Sequence, residues 1–361
     1  MVLNIAVIKG DGVGPEMMEP TLEVLKAISK KFGHLLNLNP VSASGEAIDA
    51  CGNPMPDDSL KACLEASAVL LGNTGLSKYK NLPLDKRPEF ALKTLRKNLE
   101  VTTNIRPICI YSDLSELSPL KERVIEQGLD YVFVRDIVGG IYCSEKVIID
   151  GEFGKEAYEY EYYNERIIED TARIALEIAS KRKNKLTNLD KSNVLESSKL
   201  WRNTVQNVGN LYPEIELRHC YIDTAAMKII ENPKDFDVIV TSNLFGDIIS
   251  DEGTQLTGTP NLYGSAEVAK DRKGIYTPNQ LHNPDEDIIG KQIVNPIGMI
   301  AAAALMLRYS FGLEKEAKVI ENAIKKAIAL GYRTKDIVKD GEQWLSTEQM
   351  GEKIVNLIDQ E

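Results

Sequence analysis

The chain has 361 residues, enough for two or three domains with a large buried core, and its 43% apolar and 27% charged content is that of an ordinary folded protein. Its 43 Lys plus Arg against 54 Asp plus Glu give a formal net charge of −11, which argues against nucleic acid as the main partner, so an anionic ligand must be caught by a local cluster of cations. The longest nearly unbroken apolar run, residues 297–307, is too short to span a bilayer and is Ala-rich like a buried helix. The first residues lack the basic start of a secretory signal, and the five cysteines lie far apart without a CxxC pair. Both features predict a cytoplasmic protein whose cysteines are reduced, small core residues.

Residues 3–8 alternate and are β-branched, glycines and Pro15 follow, and residues 17–32 carry apolar side chains at helical spacing, which reads as strand, turn, helix. The pattern returns as helix 58–65 before strand 68–71, strand 131–134, helix 165–183 before a strand at 191–195, and strand 238–241. Short apolar strands alternating with amphipathic helices predict an α/β chain with a largely parallel sheet. Residues 147–163 (VIIDGEFGKEAYEYEYY) break this texture, with a Gly-Glu-Phe-Gly turn between strand formers, like a hairpin or protruding arm. With no repeat, low-complexity tract or linker, a second domain must share the sheet or be inserted into the first.

Three glycines in Gly10-Asp11-Gly12-Val13-Gly14-Pro15-Glu16 sit between strand and helix. They do not complete G-x-G-x-x-G, and no acid stands near residue 40 to meet a ribose, so a standard Rossmann site is not expected. The turn is either a ligand-lining loop or a tight bend needing glycine conformations. Asp247 and Asp251, spaced i and i+4 after strand 238–241, share a helix face and are placed in the first turns, where the helix dipole favours acids. Two adjacent carboxylates suit Mg2+ or Mn2+, with Asp223 as a third candidate, although a solvated helix start would look the same. Arg96, Arg106 and Arg135 are the complementary cations, the last two ending apolar stretches where a guanidinium needs an acid or anion nearby. Lys191, placed at a strand start, and Tyr142 are candidate proton carriers, with a lysine pKa lowered by neighbouring cations. Three scattered histidines, His34, His219 and His282, give little support for a zinc site or a histidine triad.

In order along the chain these residues resemble the isocitrate/isopropylmalate dehydrogenase family of metal-dependent β-decarboxylating dehydrogenases. The resemblance rests on GDGVGPE from Gly10, RPEFALKTLRK from Arg87, NIRP from Asn104, VRDIVGGIY from Val134, DKSNVLESSKLWR from Asp190, YIDTAAM from Tyr221, FDVIVTSNLFGDIISDE from Phe236 and GYRTKD from Gly331. It implies two α/β domains with a non-Rossmann cofactor site: residues 1–101 plus 258–361 as the cofactor-binding domain, and residues 102–257 as an inserted domain for substrate, metal and dimerisation, with its arm near 145–163. It implies NAD-dependent oxidative decarboxylation of a 2-hydroxy diacid, 3-isopropylmalate to 2-oxoisocaproate in leucine biosynthesis, by a homodimer sharing its active site between subunits. Arg96, Arg106 and Arg135 would grip the substrate carboxylates. Asp247 and Asp251, with Asp223 of a second copy, would hold Mg2+ or Mn2+ against the hydroxyl and its neighbouring carboxylate. Lys191, also from a second copy, would help remove the hydroxyl proton, and Tyr142 would protonate the enol. Leu92, Glu89 and Val194 would border the substrate tail, and His282, Asn283, Asp287, Ile288 and Asn295 would meet the cofactor.

The chain departs from the family pattern at three places. The NAD loop, usually close to HGSAPDIAGK, here reads His282-Asn283-Pro284-Asp285-Glu286-Asp287-Ile288-Ile289-Gly290-Lys291; Asp287 matches the ribose-binding acid, which favours NAD over NADP. Leu76-Ser77-Lys78-Tyr79 stands where the family usually has Gly-Pro-Lys-Trp, and Leu92-Lys93 where isopropylmalate enzymes have two leucines. Lys93 keeps malate, tartrate, homoisocitrate and isocitrate open as alternative substrates. A non-catalytic ligand-binding paralogue would keep the same fold.

Overall fold

The computed structural model describes every residue except Gln127, Asn283, Pro284, Asp285 and Glu361. In chain order its strands are β1 (Val2–Ile8), β2 (Leu35–Pro40), β3 (Ala68–Leu71), β4 (Thr103–Cys109), β5 (Asp130–Asp136), β6 (Lys146–Gly151), β7 (Gly154–Glu159), β8 (Lys185–Asp190), β9 (Glu216–Tyr221), β10 (Val238–Thr241), β11 (Gly264–Val268) and β12 (Gly274–Pro278). The chain divides into two compact units: Met1–Val101, Tyr111–Leu117 and Gly258–Glu361 form the first, Thr102–Ile110 and Ser118–Thr257 the second. The first unit therefore takes in residues 111–117, which the sequence reading had assigned to the inserted domain.

In the first unit the strand order is β2-β1-β3-β12-β11, parallel except for β11 against β12. The Ala-rich run forms the helix Ile297–Tyr309, buried along nearly its whole length. Its backbone packs so closely on β11 that a Cβ at Gly264 would lie 2.6 Å from Ala302 Cα. In the second unit the order is β4-β5-β10-β8-β9, parallel except for β4 against β5. β6 and β7 form the separate antiparallel hairpin expected from the Gly-Glu-Phe-Gly turn, with Phe153 at its tip 92% exposed. No helix among the described residues is long and apolar enough to cross a membrane.

Two expectations fail. The strand placed at 191–195 lies one segment earlier, as β8, and residues 191–195 turn into the helix Glu196–Gly209. The polar KLTNLD pattern hides a strand buried on both faces, while the Asp190 carboxylate accepts the Ser192 amide at 2.9 Å, a turn that stops the strand before Lys191. The cysteines are not all core residues: Cys63 is buried, with burial pushing its thiol up to about 12, but Cys51 and Cys143 are exposed. Cys51 ends a short helix and Cys143 lies in a 3-10 turn.

The close packing at Gly264 sets a stability test. Gly264→Ala puts a methyl group against backbone that cannot yield, so it should destabilise the protein by about 1–3 kcal/mol. The check is the thermal midpoint, expected to fall by several degrees.

Candidate active site

The second unit gathers most of the chemistry on the helix Asn243–Gln255, which follows the fully buried β10. Gly246 is required there: a Cβ would lie 2.7 Å from Arg135 Cγ, so only glycine lets the Arg135 side chain, from the end of β5, lie along the helix. The Arg135 guanidinium donates to Asn243 Oδ1, at 3.1 Å from Nε and 2.8 Å from Nη2, and through Nη1 to Asp247. One turn further on, Arg106 from β4 donates through Nη1 to Asp251 Oδ1 at 2.7 Å and Ser250 Oγ at 2.9 Å, while its Nε is held by Asn104 Oδ1 at 2.9 Å. Both guanidinium groups are mostly buried, and each meets the acid its position demanded.

These pairs also correct the reason given for the two aspartates. The helix begins at Asn243, so Asp247 and Asp251 lie on its second and third turns, beyond the reach of the N-terminal dipole. Arg135 and Arg106 supply the compensation instead, setting one cation against each anion.

Tyr142 joins the same cluster. Its Oη donates to Asp247 Oδ2 at 3.0 Å, and burial together with that carboxylate raises the phenol pKa, keeping the proton in place. The turn before it is fixed by Asp136, whose buried carboxylate accepts the Gly139 amide at 2.8 Å and the Val138 amide at 3.2 Å. A Cβ at Gly139 would clash with the Tyr163 ring, 2.7 Å from its Cδ1, and the Tyr163 Oη in turn accepts the Asn243 amide at 2.9 Å. Asn243 closes the circuit by donating to the Gly139 carbonyl at 2.9 Å.

Lys191 and Asp223 are brought together with each other: Lys191 Nζ donates to Asp223 Oδ2 at 2.7 Å. Lys191 thus faces an acid in its own chain, and its hydrogen bond holds the exposed Asp223 below the usual carboxylate range. Among the described residues no three His, Cys, Asp or Glu side chains form a metal-sized group. The donor set of Asp247 and Asp251 still fits a hard divalent cation: two carboxylates on successive turns, Asp251 71% exposed, with oxygen-only chemistry.

In the first unit Arg96, on the helix Glu89–Asn98, pairs through Nε and Nη2 with the buried Glu267 of β11, the former contact at 2.7 Å. On that helix Leu92 is 2% exposed, whereas Lys93 points to solvent with its ammonium 5.9 Å from the Phe90 ring centre. Glu89 lies against Gly75, and Val194, in the second unit, is exposed. His282 Nδ1 pairs with Thr74 Oγ1 at 2.9 Å; Asp287 and Ile288 lie in a 3-10 turn; Asn283 is outside the described residues. Asn295 donates to Asp336 at 3.2 Å and accepts the Ile297 amide at 3.0 Å at the start of the buried helix.

Sequence reasoning missed Asn104, Asn243, Ser250 and Glu267. Asn104 was findable, since residues two apart on a strand share a face with Arg106, and Asn243 lies i−4 from Asp247. Glu267 carries no such signal, because its partner is distant in the chain.

An α/β chain with arginines set against paired helix carboxylates and a phenol beside them belongs to the class of β-decarboxylating dehydrogenases. Residues 4–354 match the isocitrate/isopropylmalate dehydrogenase family, and the chain belongs to that family. It is 44% identical over 359 residues to the 3-isopropylmalate dehydrogenase of Thermotoga maritima, covering 99% of both chains. It is 43% identical over 360 residues to that of Helicobacter hepaticus, covering 99% of this chain and 100% of the relative. Among solved structures it resembles isocitrate dehydrogenase from Methylococcus capsulatus, with a TM-score of 0.84, 28% identity and 99% of each chain covered. It also resembles a β-decarboxylating dehydrogenase from Thermococcus kodakarensis, with a TM-score of 0.81, 29% identity, and 99% and 96% covered.

The Asp136 knot gives a pH test. Burial pushes this carboxyl up to about 6, so the folded protein binds a proton that the unfolded chain, with an ordinary aspartate, has lost. Stability from this group is therefore present at low pH and lost as pH rises between about 4 and 6. Relative to Asp136→Asn, the wild type should gain about 1 kcal/mol of unfolding free energy on going from pH 7 to pH 5, measured by denaturant titration.

Proposed function

We propose that this chain converts 3-isopropylmalate to 2-oxoisocaproate and CO2 in leucine biosynthesis, with NAD as oxidant and Mg2+ or Mn2+ as the divalent ion. The observation that carries the reading is the array on Asn243–Gln255, where two aspartates, two arginines and Tyr142 interlock. Relatives of the same name at 43–44% identity outweigh the isocitrate-named structure at 28%.

The bound ion would supply charge stabilisation at the hydroxyl and adjacent carboxylate, and the dinucleotide would accept the hydride. Arg106 and Arg135 exchange their aspartates for the substrate carboxylates, keeping charge-assisted hydrogen bonds to carboxylate oxygens while Asp247 and Asp251 turn to the ion. Lys191 takes the hydroxyl proton, and Tyr142, held protonated, returns a proton to the carbon that CO2 leaves. Asp287 meets the adenosine ribose and disfavours a 2′-phosphate, which selects NAD.

Lys191 and Asp223 form their own pair, which suits donation together from a second copy. Exposed apolar side chains favour such a homodimer: Met227 and Ile230 on the helix Ile222–Glu231, Ile248 on the aspartate helix, and Ile148 and Phe153 on the arm. Cysteines spread along the chain, two of them exposed, suit a reducing cytoplasm.

The substrate tail follows from Lys93. With its ammonium over the outer Phe90 ring and in water, a branched alkyl group need not strip a charge of solvent. NADH formation in a panel of 2-hydroxy diacids with Mn2+ should be fastest with 3-isopropylmalate, and Lys93→Leu should change its kcat/KM by less than about tenfold. A gain of several orders of magnitude, with loss of turnover on a polar-tailed diacid, would assign the polar tail instead.

A further inference from the structure

Two departures from the family pattern meet each other in this chain. Glu286 and Ser77 both stand where the family sequences quoted above carry proline, a residue with no amide proton and no side-chain acceptor. Here Glu286 Oε1 accepts the Ser77 amide at 2.5 Å and Oε2 accepts the Ser77 hydroxyl at 2.9 Å. At the other end of the same segment a second carboxylate does the same. Glu16, in the first turn of the helix Gly14–Phe32, accepts the Gly290 amide at 2.6 Å and the Gln292 amide at 2.8 Å.

Gly290 and Gln292 both adopt left-handed backbone, φ +75° and +57°, which turns their amides to one side, toward Glu16. Between the two carboxylates lie Asp287 and Ile288 in their single 3-10 turn. The base to which Ser77 belongs is itself fixed. Buried Asp11 accepts the Gly75 amide at 2.8 Å and the Gly45 amide at 2.7 Å, and the Asp11 amide donates to the Asn73 carbonyl at 2.6 Å. The Gly10–Glu16 turn thus organises the segment from both ends, through Asp11 and the 73–77 loop at one and through Glu16 at the other. A Cβ at Gly10 would lie 2.7 Å from the Gly72 carbonyl carbon, so the turn must be glycine to make this contact.

We propose that Glu286 and Glu16 are positioning residues that hold Asp287 in place for the dinucleotide. The inference rests on the reading of Asp287 as a cofactor contact. Glu286 is exposed, so changing it leaves the core intact. Removing its charge would by itself tighten binding of an anionic dinucleotide, whereas loss of positioning loosens it, so the two effects differ in sign.

The test uses the full-length enzyme with NAD as the probe. Ser77→Pro, at the first position of its 3-10 turn, removes both donors without disturbing the backbone. Ser77→Pro, Glu286→Gln and Glu16→Ala should each raise KM for NAD about tenfold, with kcat and KM for the diacid within about twofold. The double variant Ser77→Pro/Glu286→Gln should be no worse than either single one. Amide hydrogen exchange at Gly290 and Gln292 should quicken in Glu16→Ala, independently of any cofactor. Unchanged or lower KM for NAD in both Ser77→Pro and Glu286→Gln, or additive effects in the double variant, would overturn the proposal. Absence of NAD turnover in the wild type would instead overturn the cofactor reading.

Discussion

The pairing of Arg135 with Asp247 and of Arg106 with Asp251 is the interaction on which the second unit's site depends. Each arginine leaves a sheet strand and each aspartate occupies a successive turn of one helix, so the contacts tie β4 and β5 to Asn243–Gln255. Without them the helix would present two like charges on one face, at a cost comparable to an unfavourable i,i+4 pair. The small and amide residues around them follow from this constraint. Gly246 makes room for the Arg135 stem, Asn104 and Asn243 orient the guanidinium planes, and Asp136 with Tyr163 anchors the turn that brings Tyr142 to Asp247.

The same pairs reconcile an acidic chain with an anionic substrate. A net charge of −11 gives no long-range attraction for a diacid, so recognition must come from guanidinium groups held at short range. Pairing with aspartates keeps those groups oriented and limits the burial of uncompensated charge. In the reading proposed above, the substrate carboxylates and the divalent ion replace one another's partners, so cations and anions each exchange like for like.

Much of this was legible in sequence where the chemistry is local. The i,i+4 aspartates, the arginines ending apolar stretches and the Gly-Glu-Phe-Gly hairpin all follow from spacing, and the structure places them accordingly. What failed was decided by contacts between distant segments or by turn chemistry. Lys191 follows a strand instead of starting one because Asp190 binds the Ser192 amide, and Glu267 faces Arg96 with nothing nearby in the chain to announce it. The Gly10–Glu16 turn shows the same limit. Its glycines are readable as conformational requirements, but Asp11 and Glu16 acquire their work from residues 44–45, 73–75 and 290–292.

The central claim is that Asp247 and Asp251 hold the divalent ion while their arginines hold the diacid. Mn2+ titration of Asp247→Asn and Asp251→Asn by calorimetry, in the presence of 3-isopropylmalate, tests it most directly, because each substitution removes a charged oxygen but little volume. The account predicts that both variants lose more than about tenfold in Mn2+ affinity while remaining folded. Wild-type affinity in both would contradict it.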